Sequence, residues 1–575
     1  MSISKDMKQI TKGIAVLLLS LATTGEIFSQ DFIRVNQVGY MANAPKFAQI
    51  GSLNAYRFDL KDAKTEEIVF KGSLPEGKRW NQSREVTQFA DFSAFQTPGR
   101  YFVEVNGERS HPFVIGTNHI YKEFATWTIK AYYQWRASTP IESRYATFKG
   151  IDFAREMGHP DEEVFIHSSA SGESRKTESV ISSPKGWYDA GDYNKYVVNA
   201  GITLHQLFLA YEMFPNYFHN LDLNIPESEN SLPDLLDEIK WETDWLFTMQ
   251  DPTDGGVYHK LTTKKFCDIS VQPVNDKQDR FVVEKSTSAA LCFAAVMAMA
   301  SRVFKAHDEP YANAALDAAR KAWDWAEKNP ERFYNNPSDI KTGTYGDNNF
   351  SDEFFWAASE LLITTGEKKY YQKLDFFRQF ETPRWNACNS LALMSMIWHL
   401  NELPDFVDTQ LIHRKFFTLA ELIYNRYKYS PGRLSLKFFI WGCNGEIATN
   451  GAILGLAYTI SQDPKYRDAM SSQFDYLLGM NPTDYCFVSG FGTKFPKHLH
   501  DRRSFSDDIK EPLPGYLCGG ANPNQTSDCG RNNYPSLAPA RCYLDEDCSY
   551  STNEIAINWN APLVLLTTLI INSYE

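Results

Sequence analysis

The feature that most constrains this chain is the helical spacing of its apolar residues, which begins near residue 118 and persists through the rest of the sequence. Segment 231–250 has Ser231 as N-cap and Pro233 in its first turn, and leucine, isoleucine and methionine then recur on one face. Segment 286–304 is apolar or small almost all round, so we expect it to be buried on several sides. Such segments predict about twelve helices, at 118–136, 195–214, 231–250, 286–304, 310–328, 351–366, 367–376, 386–401, 407–428, 447–461, 464–478 and 562–573.

An even set of roughly this number, with some helices buried all round, predicts two concentric rings of helices, an (α/α)₆ barrel, over residues 118–575. An α-solenoid is the alternative, but the sequence has no fixed-period repeat. Four connections are long: 137–193, 251–284, 330–350 and 480–560. Long loops in a compact domain are usually functional, so we expect them to gather at one end of the barrel and form a cleft.

Residues 31–116 have a different pattern, typical of a small β-domain. About seven short β-rich runs, such as 101–105, are separated by turn residues such as Pro98-Gly99 and Asn106-Gly107. This pattern predicts an immunoglobulin-like sandwich, although the Cys…Trp…Cys spacing of antibody domains is missing. Because no Pro/Ser/Gly-rich linker follows, we expect the β-domain to pack rigidly against the helices.

Residues 1–29 have the features of a cleavable signal peptide. Lys5, Lys8 and Lys12 precede an apolar run over 13–22, and cleavage is expected near Ser29. This predicts a secreted or periplasmic protein. Without a cysteine near the cleavage region a lipid anchor is not supported, and no other stretch approaches the roughly 20 apolar residues of a membrane span.

Composition narrows the class of ligand. The net charge of −13 and the pI near 5.5 argue against nucleic-acid binding, which requires a basic surface. A neutral or weakly charged ligand fits better. Aromatic residues make up 14% of the chain, and those not needed for the core could form flat platforms for sugar rings.

The nine cysteines are an odd number, so at least one is unpaired within a monomer. One or two disulfides among Cys518, Cys529, Cys542 and Cys548 would suit an exported protein. Buried free thiols are an equal alternative.

Two carboxylates lie three residues apart in the loop 186–196. Asp189 and Asp192 flank a small Ala-Gly pair among aromatic residues, where they could together hold one water molecule. The alternative is that Asp192 simply caps the helix that follows.

Two later loops supply the remaining chemistry. In 489–503, His498 and His500 could suggest a metal site, but there is no nearby cysteine or HExxH pattern, and sugar contacts from His500 and Arg502 are favoured. In 543–562, Glu554 lies among apolar and aromatic neighbours, which keep a carboxylic acid protonated near neutral pH. The G-x-S-x-G elbow of serine hydrolases is absent from the sequence.

These loops closely resemble the motifs of family 9 glycoside hydrolases, the cellulase family with an (α/α)₆ barrel, and the resemblance covers nearly all of the mature chain. Segment 33–40 resembles the start of the immunoglobulin-like module that precedes the barrel in one subgroup. Segment 187–193 resembles the catalytic-base motif of the family. Segment 487–492, followed by His500 and Arg502, resembles its histidine signature. Segment 553–561, preceded by Asp545 and Tyr550, resembles its acid signature.

The resemblance implies an inverting, endo-acting hydrolase of β-1,4-glucan, including cellulose, mixed-linkage glucan or xyloglucan. Glu554 would protonate the departing oxygen, Asp192 would deprotonate the attacking water, and Asp189 would help to orient that water. His500 and Arg502 would bind the sugar hydroxyls that flank the cut. In inverting enzymes the acid and the base lie about 6.5–9.5 Å apart, which leaves room for the water.

Further substrate contacts follow from weaker similarities. His259, in a segment that resembles a substrate-lining one, is a candidate sugar contact. Tyr345 and Trp385 are candidate platforms, with core packing a close alternative for Trp385. Tyr550 and Asp545 are also assigned to substrate binding by the acid signature.

No cofactor is implied for the chemistry. Asp352 and Glu353 occupy positions where many family members bind calcium, and oxygen ligands suit that ion; an ordinary capped helix start is the equal alternative. The structural zinc of some relatives is doubtful here, because the stretch 155–186 has His159 and His167 but no cysteine.

Two other functions stay open at this point. An exo-acting glucosidase, glucosaminidase or cellodextrinase would share the motifs, and a non-catalytic glycan-binding protein is the remote alternative. We expect a monomer whose partner is a β-glucan polysaccharide or oligosaccharide, with no nucleic acid and no membrane.

Overall fold

A computed structural model describes residues 32–173 and 175–574, so the predicted signal peptide lies outside the described residues. The N-terminal part consists of two β-sheets. One has the strand order Ile33–Arg34, Phe47–Gly51, Glu85–Asp91 and Lys78–Trp80. The other has the order Tyr40–Met41, Phe113–Gly116, Gly99–Val105, Arg57–Asp62 and Ile68–Ser73, with Glu108–Arg109 beside Gly99–Val105.

The two sheets share one apolar core. On the strand Gly99–Val105, the alternate residues Tyr101, Val103 and Val105 point into it and pack with Ile50 and Leu60. This period of two is the expected signature of a strand with one buried face. The prediction of an N-terminal β-domain is therefore confirmed.

The rest of the described chain is mainly helical. Helices of ten or more residues span Lys122–Trp135, Val197–Met213, Asp234–Met249, Thr287–Phe304, Glu309–Lys328, Ser351–Thr365, Asn389–Trp398, Thr409–Tyr429, Cys443–Ser461, Pro464–Leu477 and Ile557–Ser573. Shorter helices span Ser143–Ala146, Pro215–His219, Lys368–Tyr371, Arg502–Ser506 and Tyr550–Asn553.

Six of the long helices are neighbours in a closed cycle. In order they are Ile557–Ser573, Val197–Met213, Thr287–Phe304, Ser351–Thr365, Asn389–Trp398 and Cys443–Ser461, and the last packs against the first. The other long helices each pack against members of this cycle. Thr287–Phe304 is long and apolar enough to cross a bilayer by length and composition, but 94% of it is buried inside the protein, as expected of a core helix.

Three predicted helices need correction. Segment 367–376 contains only the short helix Lys368–Tyr371. The helix predicted at 447–461 begins at Cys443, after a left-handed Gly442, and its early amide at Asn444 donates to the Gly519 carbonyl. The helix predicted from Pro562 begins at Ile557, where the amide donates to the Asp189 carbonyl. In both helices a contact from a distant loop satisfies an amide that the helix itself leaves unpaired.

The β-domain is joined to the helices by buried hydrogen bonds. The Asn36 side chain donates to Asp475 Oδ1 at 2.8 Å, and the Gln37 amide donates to the Leu478 carbonyl at 2.9 Å. These bonds support the predicted close packing of the two parts.

A small five-stranded sheet lies among the helices, with the order Val180–Ile181, Val164–Ile166, Phe281–Val282, Lys260–Thr262 and Lys195–Tyr196. Its last strand leads directly into the helix Val197–Met213. The long connections 137–193 and 251–284 therefore contain ordered strands.

The cysteines divide between the two predicted states. Cys529 and Cys548 form a disulfide. Cys518 and Cys542 are buried free thiols, as are Cys292, Cys388, Cys443 and Cys486, while Cys267 is a half-buried free thiol.

Candidate active site

A cleft of about 430 Å³ opens at one end of the helix cycle. Its walls come from residues at or just before the N-terminal ends of cycle helices, at 189–196, 343–345, 383–385, 440–449 and 554–559. Helix N-termini carry partial positive charge, which favours carboxylates placed near them. The predicted gathering of loops at one end agrees with this arrangement.

The loop that carries Asp189 and Asp192 is fixed by backbone contacts on several sides. The Trp187 amide donates to Glu242 Oε2 at 2.5 Å, and the Tyr188 amide donates to the Trp135 carbonyl at 2.9 Å. A Cβ at Gly191 would lie 2.1 Å from the His500 carbonyl oxygen, so only glycine allows the two loops to approach this closely.

Asp189 lies at the base of the cleft and is almost fully buried. Asn199 donates to its Oδ1 at 2.6 Å and the Tyr345 hydroxyl donates to its Oδ2 at 2.7 Å. Burial, and then the neighbouring Asp192 carboxylate, raise the pKa of Asp189 to about 7. The two hydrogen bonds hold the carboxyl group in one orientation.

Asp192 lines the same cleft. Its Oδ2 accepts from the Asn194 side chain at 2.5 Å, from the Asn194 amide at 3.2 Å and from the Tyr196 hydroxyl at 3.3 Å. The helix that follows has Tyr196 as its N-cap and has no side-chain cap bond. The alternative interpretation of Asp192 as a helix cap is therefore wrong.

Glu554 lines the cleft with both aspartates. Its backbone is held between two loops, because it pairs with His500 and its carbonyl accepts from the Gly519 amide at 2.8 Å. Burial, followed by the charges of Asp192 and Asp189, raises the pKa of Glu554 well above its ordinary value of 4.5. These surroundings favour the neutral form of Glu554, which is the form that can donate a proton.

His500 and Arg502 lie behind the two carboxylate loops. His500 Nδ1 contacts the Asp547 carbonyl at 2.6 Å, so Nδ1 carries the proton and Nε2 of the neutral ring is an acceptor. Burial lowers the pKa of His500 and favours this neutral ring.

Arg502 donates from Nε and Nη2 to the Cys267 carbonyl and from Nη1 to the Gly191 carbonyl. These bonds use three of its five N–H groups. The predicted sugar contacts of His500 and Arg502 stay predictions.

Two of the predicted aromatic platforms line the cleft. Tyr345 and Trp385 meet edge to face, with ring centroids 5.2 Å apart. Tyr345 has a φ of +45°, which is rare for a residue with a side chain and costs about 1–3 kcal/mol. Tyr550 lies beside the cleft, where its ring contacts those of His500 and Trp441.

Two predicted sugar contacts are corrected by the structure. His259 is fully buried, its Nδ1 contacts Ser286 at 2.8 Å and its Nε2 contacts the Thr344 carbonyl at 2.9 Å. It therefore supports the cleft wall from behind. Asp545 does not line the cleft: its carboxylate accepts from the backbone amides of Lys497 and His498 and from the Asn553 side chain, so it fixes loops. Both errors arose because sequence similarity does not show where a side chain points.

Asp352 and Glu353 lie outside the cleft, in the first turn of the helix Ser351–Thr365. Together with Cys388 they offer ligand atoms within 4.8 Å of one another. Asp352 Oδ2 accepts from the Cys388 amide at 2.8 Å, while both carboxylate oxygens of the fully buried Glu353 have no hydrogen-bond partner. Unpaired buried oxygens are the donor set that a cation satisfies.

Sequence reasoning missed three aromatic residues that line the cleft, namely Phe266, Trp441 and Trp559. Trp441 opposes the shift of the Glu554 pKa through a hydrogen bond. Trp559 was part of the acid motif but was considered only as an apolar neighbour. The signal that could have identified Trp441 is its position just before the N-terminus of a helix rich in apolar and small residues.

The chain matches known proteins over almost its whole length. Residues 121–567 match the model of glycosyl hydrolase family 9, and residues 29–110 match the cellulase N-terminal ig-like domain. A xyloglucan-specific endo-beta-1,4-glucanase of Bacteroides ovatus is 42% identical over 97% of this chain and 96% of its own length. Endoglucanase D of Acetivibrio thermocellus is 33% identical over 92% of this chain and 82% of its own length.

The fold is similar to solved structures as well. A structure described as Bacteroides ovatus GH9 superposes with a TM-score of 0.87 at 39% identity, and the match covers 95% of this chain and all of that chain.

Proposed function

Because this chain belongs to glycosyl hydrolase family 9, we propose that it is an endo-1,4-β-glucanase in which Glu554 is the general acid and Asp192 the general base. Xyloglucan is the first substrate to test, since the relative that is 42% identical is specific for it. The observation that carries the assignment is that Glu554, Asp192 and Asp189 line one cleft, with the pKa of Glu554 raised.

The reaction follows from these groups. Glu554, protonated, donates its proton to the glycosidic oxygen as the bond from that oxygen to the anomeric carbon breaks. A water molecule on the opposite face attacks the anomeric carbon, and Asp192 takes the proton that the water releases. Asp189, held by Asn199 and Tyr345, orients this water. A β-linked glucan then yields an α-anomer.

Glu554→Gln and Asp192→Asn test the roles directly. Each change keeps the shape of the side chain but removes its proton transfer, so we expect kcat on a soluble glucan to fall about 10²–10⁴-fold. Glu331→Gln, an exposed change, is the control and should retain wild-type turnover. Near-wild-type turnover in either cleft variant would overturn its assignment.

Product analysis separates inversion and endo action from the alternatives. Proton NMR of the first products should show the α-anomer, and a β-anomer would exclude inversion. Fast loss of viscosity of a soluble glucan supports endo cleavage. Slow loss of viscosity with early release of glucose or cellobiose would instead favour the exo-acting or cellodextrinase alternative, and tight binding without release of reducing ends would favour a glycan-binding protein.

The helical part is proposed to be an (α/α)₆ barrel over 118–575, preceded by an immunoglobulin-like sandwich over 31–116. The closed cycle of six helices, with further helices packed outside it, supports the barrel. The two sheets with one shared core support the sandwich. Action as a monomer is also proposed, because this chain by itself supplies the acid, the base and the aromatic platforms of the cleft.

A structural calcium ion is proposed at Asp352 and Glu353. The unpaired buried oxygens of Glu353, and a further unpaired oxygen on the nearby Asp347, support a hard cation with oxygen ligands. The ion would order the start of a cycle helix, and the acid–base chemistry above does not use it.

Export through a signal peptide at 1–29, without a membrane anchor, is also proposed. The disulfide between Cys529 and Cys548 supports it, because disulfides persist mainly in oxidising compartments.

A further inference from the structure

A buried lysine lies behind the wall of the cleft and is not part of the acid–base pair. Lys260 is fully buried on the strand Lys260–Thr262, which pairs with Lys195–Tyr196 next to the base loop. Its Nζ donates to Asn336 Oδ1 at 2.9 Å, to Thr342 Oγ1 at 3.0 Å and to the Gly343 carbonyl at 2.5 Å. All three donors of the ammonium group are therefore used.

A continuous chain of buried polar side chains leads from Lys260 to the general base. Thr342 Oγ1 contacts Thr262 Oγ1 at 2.7 Å, and Thr262 Oγ1 contacts Asn194 Oδ1 at 3.1 Å. The amide group of Asn194 then donates to Asp192 Oδ2 at 2.5 Å. Every member of the chain is at most 7% exposed, so bulk water does not compete for these bonds.

We propose, on the basis of the function proposed above, that Lys260 is a positioning residue for the reaction: through Thr342, Thr262 and Asn194 it fixes the orientation of Asp192, and it places a buried positive charge behind the wall of the cleft. The same ammonium group holds the Gly343 carbonyl, two residues from the platform Tyr345. One side chain thus organises the general base and the neighbouring wall of the cleft.

Charge considerations agree with this role. Burial lowers the pKa of Lys260 to about 7, and the Asp192 carboxylate opposes that shift. The other titratable groups facing Lys260 are His259, whose pKa is lowered, and the rings of Tyr196 and Tyr334, whose centroids lie 5.4 and 5.5 Å from Nζ.

The test compares Lys260→Met with Lys46→Met. Lys46 is also fully buried, and its Nζ donates to three carbonyls, but it lies in the β-domain. We expect Lys260→Met to lower kcat about tenfold or more with KM changed less than about threefold, because the base loses the side chain that positions it. We also expect it to change the shape of the pH profile, because the variant removes a buried positive charge from the wall of the cleft. Lys46→Met should lower the melting temperature and leave the shape of the pH profile unchanged, because a purely structural lysine does not alter the base.

Thr262→Val removes the link between Thr342 and Asn194 but keeps the ammonium group. The Thr263 amide still donates to Asn194 Oδ1 at 2.9 Å, so kcat should fall by less than in Lys260→Met, with a smaller change in the pH profile. If Lys260→Met does not fold, Thr262→Val decides the question. Wild-type kcat in Thr262→Val, or a pH profile for Lys260→Met that coincides with that of the wild type, would overturn the inference while the proposed function stands. Absence of activity of the wild-type protein on every β-glucan would contradict both the proposed function and this inference.

Discussion

At Asp189, hydrogen bonds and burial shift the pKa of the carboxyl group in opposite directions. Burial and the Asp192 charge favour the neutral form, whereas the donors Asn199 and Tyr345 favour the charged form. The resulting pKa of about 7 means that Asp189 changes charge within the working range of many enzymes. The protonation state of Asp189 is therefore set by the side chains around it. One of these is Tyr345, which donates a hydrogen bond to Asp189 from a backbone with an unfavourable φ of +45°.

Tyr345→Phe tests this balance at the residue scale. Loss of the donor raises the pKa of Asp189 further, so the acidic limb of kcat/KM should move to higher pH. A hydrogen bond to a charged group contributes about 1.5–3 kcal/mol, which predicts a loss of about tenfold or more at pH 5.5 and a smaller loss at pH 8. The measurement is kcat/KM on a soluble glucan from pH 4 to 9.

Tyr101→Phe, in the β-domain, is the matched control, because its hydroxyl contacts only the Pro98 carbonyl among the hydrogen bonds of the described chain. A uniform loss at every pH in Tyr345→Phe would show that the hydroxyl matters for substrate binding rather than for the charge of Asp189.

At the scale of single elements, the helix Ser351–Thr365 begins with two acidic residues that have different surroundings. Asp352 accepts from the Cys388 amide, whereas Glu353 has no cation or N–H donor beside it in the described part of the chain. Burial, followed by the charge of Asp352, raises the pKa of Glu353 well above 4.5. An acid whose pKa is raised on folding contributes stability at low pH that is lost as the pH rises above 4.5. A bound cation reverses this loss because it favours the carboxylate.

Calcium should therefore raise the melting temperature, and it should do so more at pH 8 than at pH 5. At a concentration 100 times Kd the gain in unfolding free energy is about 2.7 kcal/mol. Glu353→Gln should abolish the increment and make the metal-free protein less sensitive to alkaline pH, whereas Glu331→Gln should retain both effects. Scanning calorimetry with calcium and with a chelator measures this, and an equal increment in Glu353→Gln would exclude the site.

Elements whose limits are set by local chemistry were predictable from the sequence. The helix Glu309–Lys328 was predicted to within one residue, because Asp308 accepts from the Tyr311 amide and Pro310 lies in the first turn. The helix Cys443–Ser461 was predicted four residues short, at 447–461. Gly445 lies in the first turn of this helix, and a Cβ there would lie 2.6 Å from Trp559, so glycine allows a close approach that only the folded chain reveals.

The candidate site shows the same difference between local and long-range determinants. The gathering of Glu554, Asp192 and Asp189 in one cleft was predictable because their motifs are short and specific. The supporting roles of His259 and Asp545 depend on partners 27 to 85 and 8 to 48 residues away, which sequence patterns do not identify. The buried position of Lys260 was likewise not predictable, because a lysine on a short strand is usually solvated.

At the scale of the whole molecule, the helix cycle brings residues that are far apart in sequence to one cleft, and the β-domain packs beside it through a buried carboxyl group. Asp475, on the helix Pro464–Leu477, accepts from the Asn36 side chain at 2.8 Å. Burial raises the pKa of Asp475 to about 7, and the Asn36 bond opposes that rise. The contact between the two parts therefore has a dependence on pH.

Asn36→Ala should destabilise the molecule as one unit. Because the pKa of Asp475 is raised from 3.8 to about 7 on folding, its contribution is complete at low pH and is lost as the pH rises through that interval. Without Asn36 the pKa rises further and the loss continues to higher pH, so the variant should lose about 1–3 kcal/mol, with the larger loss at pH 8 than at pH 5.5. Asn220→Ala, at the exposed residue that follows the short helix Pro215–His219, should show no such dependence. Calorimetry should give a single transition for both variants, since the β-domain and the helices share buried hydrogen bonds. Two separate transitions in the wild type, of which Asn36→Ala shifts only the smaller, would mean that the β-domain unfolds independently.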